Sequence, residues 1–495
     1  MHQGWPVLVP TLRVSRSVKS RQMNPLEVSP EQFKSLCEQF IAIASDYLEK
    51  IDSRSIPPEA NGAEVERILH APLPETGLGD EAICAVSDVV QHSRAQNGRF
   101  FGYVLGSGEV VGAATDLLCS VLNQNVTAWR SSPAAVTVEK LVVSWLARIV
   151  SCREFRGVLC GGGSAANLMG MAMAREAKIP ANKSGIPLDE RFAIYASTEV
   201  HMSIPKAIAL LGLGRDNLRL VPVDNSFRMI PSQLERTILR DTESGIVPIA
   251  VVGSAGTVNT GSIDPLIEIA AIAAKFGAWF HIDGAYGALG AIAAPHKFLG
   301  IDRADSISLD PHKWLYQSID CGCLLYRDAG AAQRAFSYSG DYVRALNDDP
   351  FESLTFFDES IELSRRFRAL KLWFSLRYHG LAAFRKSIED DLQRAQRLGS
   401  SIEGTADLQL MAPIELSAVC FRYVGGAHSE EDLDHINYKI LRRIVERGNV
   451  YLSNATLQSR FCLRACIVNH RTTNSDIDRV VAEILAVARE VHNAN

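Results

Sequence analysis

With 495 residues, of which 47% are hydrophobic and 22% charged, the chain has an ordinary globular composition and is long enough for more than one domain. Its net charge of -5 disfavours nucleic-acid binding, which calls for a basic surface. No apolar run approaches the roughly 18 residues of a membrane span. The ten cysteines contain no CxxC pair, so their spacing indicates no zinc site and predicts reduced thiols in a cytoplasmic protein.

The N-terminal region begins with 22 residues that carry basic side chains and no acidic one, a bias typical of an organellar transit peptide. A working start at Met23 explains the same bias, and we favour it. In either case we expect residues 1–28 to be a disordered leader. The segment Ser29-Pro30-Glu31-Gln32 then combines an N-cap, a proline in the first turn and a capping-box glutamine. It predicts a helix whose single apolar stripe needs a partner surface, either the main domain or a second subunit.

A second helical stretch is predicted from about residue 79 to 93, and from Gly157 onward short apolar segments alternate with helical ones. The predicted strands are 191–196, 218–223, 247–253, 278–283, 306–309 and 322–326. The predicted helices between them are 164–178, 204–211, 231–239 and 265–276. This alternation predicts an α/β fold with a mostly parallel sheet between helices. We expect residues 29–100 to form an N-terminal helical segment and residues 101–375 to form the large domain.

The pattern changes after about residue 375, where a long helix at 381–402 precedes mixed elements. The β-like segments are 415–423, 450–453 and 461–467, and the helical ones are 430–447 and 475–491. The sequence therefore predicts a smaller C-terminal α+β domain over residues 376–495.

Polar and glycine-rich segments follow several predicted strands, at the edge where open α/β sheets bind ligands. Residues 161–164, Gly-Gly-Gly-Ser, open a helix whose free N–H groups suit a phosphate, although the spacing matches neither the Walker nor the dinucleotide fingerprint. Asp283 ends one strand, where an Asp-Gly turn is the alternative explanation. His201 and Thr257 follow two others. Each of these signals has an ordinary structural explanation when it is taken alone.

A lysine completes the set. Pro311 ends the strand 306–309, since proline cannot continue a ladder, and Lys313 follows at the same edge. A desolvated lysine can lose its proton and attack a carbonyl carbon. Together the strand ends offer a phosphate cradle, an imidazole, a hydroxyl, a carboxylate and an amine. Pyridoxal 5'-phosphate needs these groups, because a lysine forms its Schiff base and a carboxylate holds its pyridinium proton. The sequence predicts this cofactor.

Between about Phe100 and Arg471 the sequence resembles the pyridoxal-phosphate-dependent group II amino-acid decarboxylases of fold type I. It is most similar to the bacterial aromatic-L-amino-acid and tryptophan decarboxylases. The motifs that carry the resemblance are Asp310-Pro-His-Lys-Trp-Leu, Phe280-His-Ile-Asp-Gly-Ala-Tyr-Gly and Arg365-Arg-Phe-Arg-Ala-Leu-Lys-Leu-Trp. The resemblance implies a seven-stranded type of sheet and a homodimer that shares its active sites across the interface. It also implies that the N-terminal helical segment packs on the partner subunit.

The resemblance implies a role for each site residue. Lys313 carries the cofactor, Asp283 pairs with its ring nitrogen, and His201 stacks on the ring near the reacting centre. The other residues implied to contact the cofactor are Ala285, Thr257, Gly163, Ser164, Asp310 and His312.

Tyr342 matches the tyrosine of the family's mobile catalytic loop and is implied to protonate the substrate carbon after CO2 leaves. The resemblance thus implies conversion of an L-amino acid, with an aromatic one favoured, to the amine and CO2. An acidic substrate would need a buried cation, for which Arg130 and Arg464 are candidates. Two alternatives stay open. One is aldehyde synthesis or another pyridoxal-phosphate reaction on the same fold, and the other is a catalytically silent cofactor-binding protein.

Overall fold

The computed structural model describes residues 24–338, 352–426 and 429–493. The described chain forms two compact units. The first consists of residues 24–51 and 60–92, and the second consists of residues 52–59 and the described residues from 93 onward. Residues 1–23 of the predicted leader lie outside the described residues.

The first unit is helical. It contains α1 (Pro30–Lys50), α2 (Gly62–Leu69) and α3 (Ala82–Gln91). The predicted capping box is present, because Ser29 Oγ accepts from the backbone N–H of Gln32 and the Gln32 side chain accepts from that of Ser29. Helix α2 was not predicted from the sequence. None of the residues of these three helices is buried in the described structure.

The second unit is built on a seven-stranded sheet in the order β1-β7-β6-β5-β4-β2-β3. Its strands are β1 (Arg156–Cys160), β2 (Phe192–Ser197), β3 (Leu218–Val221), β4 (Val247–Ser254), β5 (Trp279–Asp283), β6 (Ser306–Leu309) and β7 (Gly322–Tyr326). Strand β7 is antiparallel to both of its neighbours, and the remaining pairs are parallel. The prediction of a mostly parallel α/β sheet is confirmed.

Helices of the second unit precede, connect and follow these strands. They are α4 (Val110–Leu122), α5 (Pro133–Ile149), α6 (Gly163–Lys178), α7 (Ser203–Leu210), α8 (Pro231–Glu243), α9 (Leu266–Lys275), α10 (Ala329–Phe336) and α11 (Ala369–His379). Every residue of β2, β5, β6 and β7 is buried. Such continuous burial is expected of a sheet that is covered on both faces, and it explains the unbroken apolar runs in the sequence.

The C-terminal part of this unit carries a second sheet. Its elements are α12 (Leu381–Glu403), β8 (Leu408–Leu410), β9 (Ala418–Tyr423), α13 (Glu430–Arg447), β10 (Ser453–Leu457), β11 (Arg460–Cys466) and α14 (Asn474–Asn493). The four strands are antiparallel in the order β10-β11-β9-β8, and residues of the three helices share one apolar cluster with β9 and β11. Over the described ranges, the helices are too short or too polar to cross a membrane.

Candidate active site

The topology brings five strand ends to one edge of the large sheet. Strands β2, β4, β5 and β6 are mutually parallel, and β1 points the same way because β7 is antiparallel to both β1 and β6. The segments that follow all five strands line a cavity of about 430 Å³. That volume lies within the range of small-molecule sites, and the carboxyl edge of an α/β sheet is where such sites form.

Most of the predicted site residues meet at this cavity. Those that line it are Lys313, Asp283, Ala285, His201, Gly163, Ser164, Asp310 and His312. Thr257 is buried and does not line the cavity itself, although its neighbours Gly256 and Val258 do. Tyr342 lies outside the described residues.

One end of the cavity is the start of α6. Gly162 occupies the N-cap position with φ of 135° and has no side chain to cap the helix. A Cβ atom on Gly163 would lie 2.7 Å from Cβ of Ala285 and 3.0 Å from Oδ2 of Asp310, so only glycine fits there. The first N–H groups of a helix have no partner within it and carry the positive end of its dipole. This end of the cavity therefore suits an anion.

The lysine is held by a carboxylate three residues before it. Lys313 Nζ lies 2.9 Å from Oδ2 of Asp310, and Nε2 of His312 lies 3.5 Å from the same oxygen. Burial lowers the pKa of His312. The other oxygen of Asp310, Oδ1, is buried without a hydrogen-bond partner among the described residues. A bound ligand with a donor group would satisfy it.

The loop that presents this lysine is anchored to α12. Trp314 Nε1 and Tyr316 Oη donate to Oδ2 of Asp391, at 3.2 and 2.7 Å. Burial raises the pKa of Asp391 to about 7. Leu315 and Tyr316 have φ angles of 86° and 52°, a left-handed conformation that costs energy in residues with side chains. The contacts to Asp391 hold the loop in this conformation.

Asp283 is the carboxylate of the site. Its Oδ2 accepts from Asn167 Nδ2 at 2.9 Å, and its Oδ1 accepts from Ser308 Oγ at 3.1 Å and from the backbone N–H of Ala285 at 3.2 Å. These three donors fix the orientation of a side chain that is 8% exposed. Both oxygens of Asp283 therefore act as hydrogen-bond acceptors.

His201 is the imidazole of the site. Its Nδ1 lies 2.8 Å from Ser203 Oγ and accepts from the backbone N–H of Ser203 at 3.2 Å. Burial lowers the pKa of His201, and the nearby Asp283 opposes that shift. A neutral ring therefore carries its proton at Nε2.

Sequence reasoning missed several lining residues. Asn167 lies four residues after Gly163 on α6, so one helical turn of spacing could have identified it. Val104 and Val258 supply apolar lining, and Tyr286 is tied to the C-terminal sheet region through a 2.8 Å contact between its hydroxyl and Ser417 Oγ. No sequence signal separates these three from ordinary core residues.

The two candidate arginines do not reach the cavity lining. Arg464 is 5% exposed, and its guanidinium donates to the carbonyl oxygen of Val258 and to Ser453 Oγ. Arg130 is exposed. Among the described residues that line the cavity, none is an arginine.

Comparison with known proteins gives consistent matches over most of the chain. Residues 73–424 match the family model described as the pyridoxal-dependent decarboxylase conserved domain. An aromatic-L-amino-acid decarboxylase from Bacillus atrophaeus is 30% identical over 94% of this chain and 97% of the relative. A phenylacetaldehyde synthase from Petunia hybrida is 28% identical over 91% and 93% of the two chains. The crystal structure of Oryza sativa TDC with PLP and tryptamine superposes with a TM-score of 0.88 at 27% identity, covering 94% of this chain and 99% of that one.

Proposed function

Because the chain belongs to the family of pyridoxal-dependent decarboxylases, we propose that it removes the α-carboxyl group of an L-amino acid as CO2 and releases the amine. The proposed substrate is an aromatic amino acid. One observation carries this proposal: an amine, a carboxylate, an imidazole and a helix N-terminus surround a single cavity.

The cofactor is pyridoxal phosphate, and the cavity residues fit it. The start of α6 would hold the phosphate, Asp283 would face the ring nitrogen, and Lys313 would form the covalent link. Gly163, where a Cβ atom would meet Ala285, leaves the space that such a flat group needs. The chemistry that pyridoxal phosphate supplies when bound is an electron sink for the pair of electrons left as CO2 departs.

The remaining roles belong to the chain's own residues. Asp310 holds the amine of Lys313 at 2.9 Å, which keeps it at the rim of the cavity. His201 holds a proton at Nε2 in its neutral form and can donate it as a hydrogen bond across the cavity. We assign protonation of the substrate carbon to Tyr342, by the family likeness stated above. The burial of Asp283 and Asp310 keeps water from these charges, which strengthens their interactions.

The lining of the cavity supports an aromatic substrate. An acidic side chain would need a cation beside it, and neither Arg130 nor Arg464 lines the cavity. The guanidinium of Arg464 already binds Val258 and Ser453. Val104, Val258 and the buried ring of Tyr286 present apolar surface instead. The relatives from Bacillus atrophaeus and Oryza sativa add to this support.

The second candidate reaction is aldehyde synthesis, which the Petunia hybrida relative favours. The two reactions differ in their products. Both reactions release CO2; decarboxylation releases one amine for each CO2, whereas aldehyde synthesis also consumes O2 and water and releases aldehyde, ammonia and hydrogen peroxide instead of the amine.

The experiment measures CO2 and amine from the purified, cofactor-loaded protein on a panel of L-amino acids, with Lys313→Ala as the control. We expect aromatic amino acids to give equal amounts of CO2 and amine, and Lys313→Ala to give neither. Turnover of acidic amino acids alone would contradict the substrate assignment. Aldehyde and peroxide without amine would contradict the reaction. Absence of turnover on every amino acid, with a bound cofactor that depends on Lys313, would indicate a catalytically silent protein.

We also propose that the protein is a homodimer in which residues 29–100 pack on the partner subunit. In the first unit, α1 exposes Phe33, Phe40 and Ile41 to 39%, 43% and 57%. In the second unit, α4 exposes Leu117 and Leu118 to 47% and 51%. Apolar surface of this extent is typical of a subunit interface.

Sedimentation tests the dimer. Phe40→Asp should shift the protein toward the monomer, because a charge would enter the interface. Ser35→Asp adds the same charge on the opposite face of α1 and should leave the dimer intact. A wild-type protein that sediments as a monomer would refute the proposal.

We place the protein in the cytoplasm, in keeping with ten cysteines that are all free thiols.

A further inference from the structure

A continuous row of polar side chains runs through the core between α6 and strands β5 and β6. Trp279 Nε1 lies 2.8 Å from Ser306 Oγ, which lies 2.8 Å from Nδ1 of His281. Nε2 of His281 lies 2.9 Å from Asn167 Oδ1, and Asn167 Nδ2 lies 2.9 Å from Asp283 Oδ2. We call these five side chains the Asn167 network. Its three middle members are at most 1% exposed, so they find their partners in one another rather than in solvent.

The two ends of the Asn167 network fix the direction of every hydrogen bond in it. An indole N–H only donates, so Ser306 Oγ accepts from Trp279, and its own proton is available to Nδ1 of His281. An ionised carboxylate only accepts, so Asn167 turns its NH2 group to Asp283 and its carbonyl to His281. Nε2 of His281 must then carry the ring proton. Burial lowers the pKa of His281 to about 4, which agrees with a neutral ring.

Asn167 also reaches His201. Its Nδ2 lies 2.8 Å from Ser203 Oγ, which accepts this second N–H and directs its own proton to Nδ1 of His201 at 2.8 Å. One buried amide therefore donates to the carboxylate Asp283 and, through one hydroxyl, reinforces the Nε2-protonated form of His201 that the backbone N–H of Ser203 also favours.

Gly170 shows that the chain makes room for this arrangement. Glycine inside a helix is less stable than alanine. A Cβ atom on Gly170 would lie 2.6 Å from Cε1 and 2.7 Å from Nδ1 of His281. The glycine, one turn after Asn167, admits the ring that orients the amide.

We infer that Asn167 is a positioning residue of this enzyme: its amide holds Asp283 toward the cofactor and, together with the backbone N–H of Ser203, keeps the proton of His201 at Nε2. The inference rests on the proposed function, because it takes Asp283 and His201 as cofactor contacts. The side chain of Asn167 donates two hydrogen bonds and accepts one. A residue that only fills space would not need that combination.

The first test compares Asn167→Ala with Asn167→Asp by titrating the apoprotein with pyridoxal phosphate. Aspartate has nearly the shape of asparagine, but it lacks the NH2 group and sets a second carboxylate against Asp283. We expect both variants to bind the cofactor at least about tenfold more weakly, with Asn167→Asp the weaker. Met169→Leu, a volume-conserving change at a buried position on the same helix, should bind as the wild type does. Tighter binding by Asn167→Asp than by Asn167→Ala would indicate a space-filling role and overturn the proposal.

The second test uses the partner of Asn167. Glutamine at position 281 can place an amide N–H where Nε2 of the imidazole lies, whereas leucine cannot donate. We expect His281→Gln to keep most of the cofactor affinity and His281→Leu to lose about tenfold. Equal losses in both variants would contradict the donor role.

A third measurement needs neither activity nor cofactor and uses the unaltered chain. With ¹⁵N-labelled histidine, NMR of the apoprotein should show His281 and His201 as neutral rings protonated at Nε2, with His281→Gln and His201→Asn assigning the signals. A proton at Nδ1 of either ring would overturn the inference, even if the Asn167 variants fail to fold.

Asp283→Asn in the same cofactor titration distinguishes an error in the site assignment from an error in the role given to Asn167. If Asp283→Asn binds pyridoxal phosphate as the wild type does, the site assignment in the proposed function is wrong. If Asp283→Asn binds weakly while Asn167→Asp binds normally, the site assignment stands and the role of Asn167 is refuted.

Discussion

Replacing Glu139 by glutamine tests how the end of β1 is held in place. Glu139 on α5 and Arg365 form an ion pair in which both side chains are fully buried. Glu139 Oε1 also accepts from the backbone N–H of Leu159 at 2.9 Å. Arg365 donates to the carbonyl oxygens of Leu159 and Val126, at 2.8 and 2.7 Å. The pair thus ties down the strand end that leads into the glycine-rich start of α6.

The expected loss follows from the burial. Removing one charge of a fully buried pair leaves the other without compensation, which costs about 3–5 kcal/mol. Glutamine keeps an acceptor for the backbone N–H of Leu159. We therefore expect Glu139→Gln to lower the free energy of unfolding by about 3 kcal/mol, near the lower end of this range. The double variant with Arg365→Met removes both charges. Its loss should fall short of the sum of the single losses by at least about 1 kcal/mol.

Urea unfolding of the apoprotein, followed by circular dichroism, measures these free energies without a contribution from cofactor binding. Lys386→Met, which removes an exposed ion pair with Asp390, is the matched control and should change the free energy of unfolding by about 1 kcal/mol or less. A loss below about 1 kcal/mol for Glu139→Gln, or strictly additive losses in the double variant, would refute the reasoning.

Two other perturbations follow from the site geometry. Gly163→Ala places a Cβ atom against Ala285 and Asp310, so a cofactor titration should show affinity weakened by at least about tenfold, and unchanged affinity would contradict the anion-binding role of this turn. Asp391 has its pKa raised from 3.8 to about 7 by burial, so its contribution to stability is full below pH 3.8 and is lost as the pH rises through about 7. The thermal midpoint should therefore fall between about pH 4 and pH 7, and Asp391→Asn should flatten that fall; an equal slope in both proteins would contradict the assignment.

The strands of the large sheet could be predicted because local residue types determine where they begin and end. Strand β6 has the predicted bounds, since Pro311 forbids a longer ladder, and β7 likewise has its predicted bounds, 322–326. The antiparallel direction of β7 was not predicted. Its signal was the connection at 310–321, which contains no helical periodicity and so lacks the helix that usually forms the crossover between parallel strands.

The small elements were harder to predict. Helix α2 is short, and its capping box of Asn61 and Glu64 was the available signal. The strand predicted at 450–453 lies instead at Ser453–Leu457, because pairing with β11 sets its position. The position of such a strand depends on the strand with which it pairs, which can be distant in the chain. The local apolar character of the sequence specifies neither that partner nor the register of the pairing.

The residues of the site likewise divide into those that the sequence predicted and those that it did not. Lys313, Asp283 and His201 were found because each ends or follows a strand and carries a reactive group. Asn167 and Asp391 were missed because their contribution depends on which helix packs beside which strand. An amide on α6 gains its importance only when β5 places His281 on one side of it and Asp283 on the other.

That dependence explains why the core beneath the cavity is polar at all. Asn167, His281 and Ser306 occupy positions where apolar side chains would pack without any need for hydrogen bonds. A polar core of this kind is tolerable only when every donor and acceptor is matched, and a single reversed amide would leave two unsatisfied contacts. Trp279 can only donate and an ionised Asp283 can only accept, so this network has one fully satisfied arrangement. The core thereby holds the carboxylate in a single orientation, which a site built for a flat aromatic cofactor requires.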